Sequence, residues 1–169
     1  FSMARLLTLS DYGILATLFA FIYIISIFGE SIQLILAKYS STEQDIGKLK
    51  NLLRRSFKKA VRASSAFFLA YLLISWPLSY LLKINYSLMA LNGLIVFAWF
   101  LIPITRGIMQ GRQMFSALGF SMIMEGIIKV LLGILLVFIG WKVYGAIAGA
   151  IIAVSLAFFY SLFTLRQIS

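Results

Sequence analysis

The stretch KYSSTEQDIGKLKNLLRRSFKKAVR, Lys38 to Arg62, decides how the rest of the chain is read. It carries Lys38, Lys48, Lys50, Arg54, Arg55, Lys58, Lys59 and Arg62 against only Glu43 and Asp45, between long apolar runs on both sides. Lys and Arg in short loops are retained on the cytoplasmic side of a membrane. The stretch is therefore expected to face the cytoplasm and to orient every apolar segment around it. Within it, Ile46, Leu49, Leu53, Phe57 and Ala60 fall on one side of a helical wheel, and Lys48, Arg55, Lys58, Lys59 and Arg62 on the other. That pattern predicts an amphipathic helix over 38–62 lying at the interface. Ser41 and Gln44 have capping-box spacing, and Glu43 and Asp45 sit where a helix dipole favours negative charge.

The composition agrees with a membrane setting. Hydrophobic residues make up 62% and charged residues 12% of the 169 residues, whereas soluble domains hold about half and about a quarter. The formal charge of +10 is concentrated in the one basic stretch, so a nucleic-acid role is not indicated. With no Cys and no His, disulfides, thiolate or imidazole metal sites and Cys/His nucleophiles are excluded. No acidic pair or Ser/His/Asp set stands at catalytic spacing, so neither an enzyme nor a cofactor is expected. A chain opening on Phe1 and stopping at Ser169, just after an apolar segment, is expected to be an excerpt of a longer protein.

A helix crossing about 30 Å of hydrocarbon needs about 20 apolar residues. Segments of about 12–37, 63–82, 87–105, 115–139 and 143–165 qualify, giving an all-α polytopic bundle of about five transmembrane helices plus the amphipathic helix. Inner loops then hold 38–62, Arg106, Arg112 and Arg166, and outer turns hold Arg5, Lys83 and Lys142. Tyr80, Tyr86, Trp141 and Tyr144 are expected to form an outer aromatic belt, and Pro77 to kink the second span.

Four polar residues in the apolar segments are candidate substrate or coupling groups. Glu125 and Lys129, expected near mid-bilayer, are four apart with Glu first, a spacing that lets them pair on one helix face; they either line a cavity or neutralise each other between helices. Glu30 is a cavity acid or a carboxylate near the inner interface. Asn92 is a substrate contact or an interhelical hydrogen-bonding group. The turn Arg106 to Arg112, RGIMQGR, and the cations Arg54, Arg55, Lys58 and Lys59 are candidate cytoplasmic phosphate or lipid contacts. Gly119, Gly126, Gly133 and Gly140 recur at every seventh residue, and Gly145, Gly149 and Ala153 form a small-xxx-small row; both are expected to be packing seams.

Three stretches resemble the bacterial polysaccharide or lipid-linked oligosaccharide flippases of the multidrug/oligosaccharidyl-lipid/polysaccharide exporter superfamily. They are Arg5-Leu6-Leu7 with Asp11-Tyr12-Gly13; RGIMQGRQMF from Arg106 to Phe115, followed by Glu125 and Lys129; and Val143-Tyr144-Gly145-Ala146 with Gly149. The resemblance implies spans two to six of a two-lobed inner-membrane transporter. It further implies a lipid-linked saccharide as substrate, Glu125, Lys129 and Glu30 lining the first lobe's cavity, coupling to protons or cations, and glycosyltransferase or polymerase partners. Two other readings stay open: a multidrug or drug/metabolite exporter, and a membrane scaffold that holds glycosyltransferases through its basic helix.

Overall fold

A computed structural model describes residues 7–43 and 45–166. The described residues form helices α1 (Leu9–Thr42), α2 (Ile46–Leu82), α3 (Tyr86–Gly111), α4 (Phe115–Leu136) and α5 (Lys142–Arg166), with a π-helical segment, Val137–Trp141, joining the last two. No strand occurs among them. Among the described residues 4 helices are long and apolar enough to cross a membrane; the last of these, Phe115–Arg166, holds both α4 and α5. Large apolar side chains cover its outer surface, with Leu73, Leu81 and Phe138 each at least 75% exposed. That is the surface of a multi-pass membrane protein rather than of a soluble domain.

The fourth apolar stretch folds back on itself. Gly140 adopts φ 104 and Lys142 φ 46, which reverse the chain where only glycine enters without strain. The two legs then pair in antiparallel register. A Cβ at Gly149 would lie 2.7 Å from Gly133 N and one at Gly145 would lie 2.8 Å from Leu136 C, while Ser121 meets Ser161 further down. The row Gly145, Gly149, Ala153 is thus a backbone-to-backbone seam. The seven-residue glycine row is not one seam: Gly119 and Gly126 face open space, only Gly133 packs, and Gly140 makes the turn.

The centre of the bundle is α3, against which the other four helices lie. Every residue from Leu101 to Met109 is buried. It runs parallel to α1, since the partners Asn92 and Leu18, Pro103 and Gly29, Gly107 and Gln33, and Gly111 and Ala37 advance together along both helices. It runs antiparallel to α2, where Phe68 meets Phe97, Phe67 stacks on Phe100 at 4.9 Å and Tyr71 meets Asn92. The Ser87 and Tyr144 hydroxyls are hydrogen-bonded at one end of α3 and α5. Helices α1, α3 and α5 therefore run one way and α2 and α4 the other. Lys38, the basic half of α2, Arg112 and Arg166 share one end, and Lys83, Lys142, Tyr80, Tyr86 and Trp141 share the opposite one.

The basic stretch differs from its sequence reading. It is divided between the end of α1 and the first half of α2, and α2 continues without interruption past Arg62 and through Pro77 to Leu82. The cause lies in what covers part of its apolar stripe: Phe57 and Ala60, with Leu52 and Val61 beside them, pack in one cluster with Leu36 of α1, Leu101 and Ile104 of α3 and Phe158 of α5. The start of α2 also moves. Asp45 caps it, accepting from Gly47 N at 2.8 Å and Lys48 N at 3.3 Å. Ser41 instead donates to Lys38 O inside α1 at 2.8 Å. Gln44, the Ile46 side chain, Arg5 and Leu6 lie outside the described residues.

The stretch Arg106 to Gly111, expected as a turn, is the last part of α3. Its glycines serve packing. A Cβ at Gly107 would lie 2.6 Å from Gln33 O, and one at Gly111 would overlap Ala37 O and Ser40 Oγ. Gly107→Ala is therefore expected to lower stability by about 1–3 kcal/mol through overpacking. Gly126→Ala, in open space, should be neutral or stabilising by up to about 1 kcal/mol. Thermal unfolding midpoints in one detergent compare the two variants; equal shifts would contradict the α1–α3 crossing.

Candidate functional site

Arg106 is set in the enclosed half of α3, and its direction follows from helix geometry. Side chains on a helix tilt toward its N-terminus. On α3 that is away from the cation-rich end and into the bundle. Arg106 Nη2 donates to Glu125 Oε2 on α4 at 2.6 Å, to Ser121 Oγ at 3.2 Å and to Ser121 O at 3.4 Å. Ser121 Oγ lies 3.1 Å from Ser161 Oγ of α5, so the polar cluster ties three helices together. The two charged side chains are 8% and 13% exposed. Arg106 Nε finds no protein acceptor.

This pairing overturns the expected one. Glu125 answers Arg106 across two helices and not Lys129 along its own, because Arg106 is buried and must find a carboxylate. Lys129 is left half-buried, one turn further along α4, with its Nζ 5.3 Å from the ring centroid of Phe19 on α1. An aromatic face returns about 0.5–2 kcal/mol to a cation and leaves its charge in place. Among the described residues no carboxylate pairs with Lys129.

Lys129 stands in the interval, or groove, between α1 and α4. Helices α1 and α4 both lie against α3 but pack little on each other. Lys129 of α4 reaches across this interval toward Phe19 of α1. Toward the cation-rich end, Gln33 of α1 donates to Gln110 of α3 at 2.9 Å, and both side chains are half-buried.

The remaining candidates separate. Asn92 is 0% exposed and lies between α1, α2 and α3; its Nδ2 donates to Leu18 O at 3.1 Å and to Tyr71 OH at 3.2 Å, while its Oδ1 has no partner. It joins helices and does not line the groove. Glu30 is exposed on the outer face of α1 and has no ion-pair partner among the described residues. Arg54, Arg55, Lys58 and Lys59 are exposed on α2, apart from the groove. Arg112 ends α3 half-buried. Arg106 and Arg112, grouped in the sequence as one phosphate-contacting turn, have different surroundings: Arg106 is inside the bundle and already engaged. Among the described residues no group of three His, Cys, Asp or Glu side chains could hold a metal ion.

Ser121 and Ser161 join the Arg106 cluster, Phe19 stands beside Lys129, and Gln33 bonds Gln110; none of these was a candidate site residue in the sequence. A signal existed for Ser121, which stands four before Glu125 and so shares its helix face. Ser161 and Phe19 carry no such mark, since only the packing of α5 and α1 brings them in.

No protein-family profile, curated protein or solved structure matches this chain.

Asn92→Leu is expected to lower stability by about 0.6–2 kcal/mol, the range of one interhelical hydrogen bond between membrane helices. Tyr71→Phe should cost less, because the Leu18 acceptor remains. Thermal unfolding in detergent reads both; a functional defect in Asn92→Leu without any loss of stability would return Asn92 to the groove.

Proposed function

We propose that this chain belongs to a polytopic transporter of the inner membrane that moves a lipid-linked oligosaccharide or polysaccharide precursor by alternating access, and that Lys129 receives the substrate's phosphates. The observation that carries the reading is the Arg106–Glu125 ion pair at 2.6 Å, which leaves Lys129 beside the Phe19 ring with no carboxylate partner among the described residues. A cation held within the hydrocarbon without a carboxylate is costly, by up to roughly 2.5–3.5 kcal/mol at the bilayer centre and less near its boundary, and such residues mark transport paths. An anionic substrate would offset that cost when it binds.

On this reading α4 and α5 each cross the bilayer, making five crossings with α1, α2 and α3, and the cation-rich end is cytoplasmic by the positive-inside rule. The length of α2 supports the placement. From Lys83 back to Arg62 is about 20 residues, or about 30 Å, one hydrocarbon thickness. Ile32, Ala60, Val61 and Ile104 pack in one cluster, so Glu30, Arg62 and the Arg106–Glu125 pair stand at about one level. That level is the inner boundary of the hydrocarbon and not mid-bilayer, and Lys129 lies about one turn, roughly 6 Å, deeper. The 34-residue α1 is about 51 Å long, so with the first half of α2 it extends some way beyond the membrane into the cytoplasm.

Glu125 fixes Arg106 in this scheme, and Glu30 is the carboxylate free to couple to a proton or cation. The exposed position of Glu30 also favours a second reading, a multidrug exporter that takes a hydrophobic cation along α1. The two readings differ in which residue matters. In vesicles holding the intact protein, Lys129→Gln is expected to reduce flipping of a lipid diphosphate oligosaccharide by about 10- to 100-fold, the worth of one charge-assisted hydrogen bond. Lys129→Arg should retain most of it. Unchanged flipping in a folded Lys129→Gln protein would end the anion reading. Loss in Glu30→Gln alone, with a lipophilic cation as cargo, would favour the second.

A further inference from the structure

The outward face of α2 carries a feature that the groove does not use. Arg55, Lys58, Lys59 and Arg62 fall within one narrow arc of the helix and are all exposed. The opposite arc, with Phe57, Ala60 and Ser64, is turned into the bundle. The quartet spans about 10 Å along the axis. It ends at Arg62, level with the cluster of Ile32, Ala60 and Ile104. Continuing along the same arc, Ala66, Leu69 and Leu73 are exposed, Leu69 at 60% and Leu73 at 75%. A cationic patch thus passes directly into an apolar surface on one face of one helix.

Among the described residues no carboxylate answers these charges. The chain has 5 acidic residues. Asp11 belongs to the first turn of α1, Asp45 caps α2, Glu43 accepts from Asp45 N at 3.2 Å and Glu125 is held by Arg106. Glu30 is level with the quartet but on α1 and unpaired. Among the described residues no salt bridge involves Arg55, Lys58, Lys59 or Arg62.

We infer that Arg55, Lys58, Lys59 and Arg62 form a binding site for an anionic phospholipid of the inner leaflet, its phosphate among the four cations and its acyl chains along Ala66, Leu69 and Leu73. The height of the quartet matches the headgroup layer, which adds several ångströms to each side of the hydrocarbon. An amphiphile satisfies both parts of the face, whereas a soluble phosphate satisfies only the first. Bilayer phospholipid is the occupant because the face lies on the outside of the bundle, away from the groove that holds Lys129. The inference rests on the membrane orientation proposed above but not on the transport step, so failure of the Lys129 test leaves it standing.

The test places the intact protein in nanodiscs of equal parts phosphatidylglycerol and phosphatidylcholine, extracts it gently, and quantifies retained lipid by native mass spectrometry. Wild type is expected to retain phosphatidylglycerol over phosphatidylcholine by about tenfold or more, given the strength of polybasic attraction at a membrane surface. Arg55→Gln/Lys58→Gln/Lys59→Gln/Arg62→Gln should lose that preference. Lys48→Gln/Lys50→Gln/Arg54→Gln, which removes charge further from the membrane, should keep it. If the fourfold variant does not fold, Lys58→Gln/Lys59→Gln reads a partial loss and Arg55→Lys/Arg62→Lys a retained preference. Equal loss in the quartet and control variants would show long-range attraction without a site and overturn the proposal. So would retained preference in a folded quartet variant, or selective retention of a diphosphate-headed lipid in place of phosphatidylglycerol.

Discussion

The enclosure of α3 is the constraint from which the rest of the arrangement follows. Its residues from Leu101 to Met109 are buried on every side, and Arg106 lies among them. A guanidinium in such a position requires a carboxylate, since an uncompensated buried charge costs several kcal/mol. Glu125 is the carboxylate that α4 brings within 2.6 Å. Ser121 and Ser161 extend the contact to α5. Once Glu125 is committed there, Lys129 cannot use it. That Lys129 keeps no carboxylate partner among the described residues is therefore a consequence of how the central helix is packed.

Close backbone approach makes that packing possible. Gly107 and Gly111 let α1 lie directly on α3, and Gly145 and Gly149 let α5 lie on α4. Between membrane helices there is little hydrophobic gain from association, so shape and van der Waals contact carry much of the stability. The same glycines set the helix registers. Those registers put Glu30, Arg62 and the Arg106–Glu125 pair at about one level and leave Lys129 about one turn further from the cation-rich end.

Much of the helical architecture was legible in the residues. The apolar runs marked where helices form, and the crowding of Lys and Arg at one end agrees with the alternating helix directions. The small-xxx-small row Gly145, Gly149, Ala153 was legible because its spacing matches one helix face. What failed did so where partners come from other helices. The stripe on Leu53, Phe57 and Ala60 suits a membrane surface as well as a protein neighbour, and only the folded bundle decides between them. RGIMQGR has the composition of a turn, yet its glycines serve as contact points for α1, a role that depends on where Gln33 and Ala37 arrive. Glu125 and Lys129 have ideal spacing to pair, but a local pair yields to a buried cation with no other partner. Asn92 was rightly marked as polar within an apolar span; its enclosure by Leu18 and Tyr71 was not readable from one strand of sequence.

The most direct test of this account is a pair of double-mutant cycles on stability. One cycle combines Arg106→Gln with Glu125→Gln, and the other combines Glu125→Gln with Lys129→Gln, all followed by unfolding in the same detergent. The account predicts coupling of about 1–3 kcal/mol in the first and close to zero in the second. Strong coupling between Glu125 and Lys129, with none to Arg106, would contradict it: the two would then form a neutral pair, and Lys129 would not be left to receive an anionic substrate.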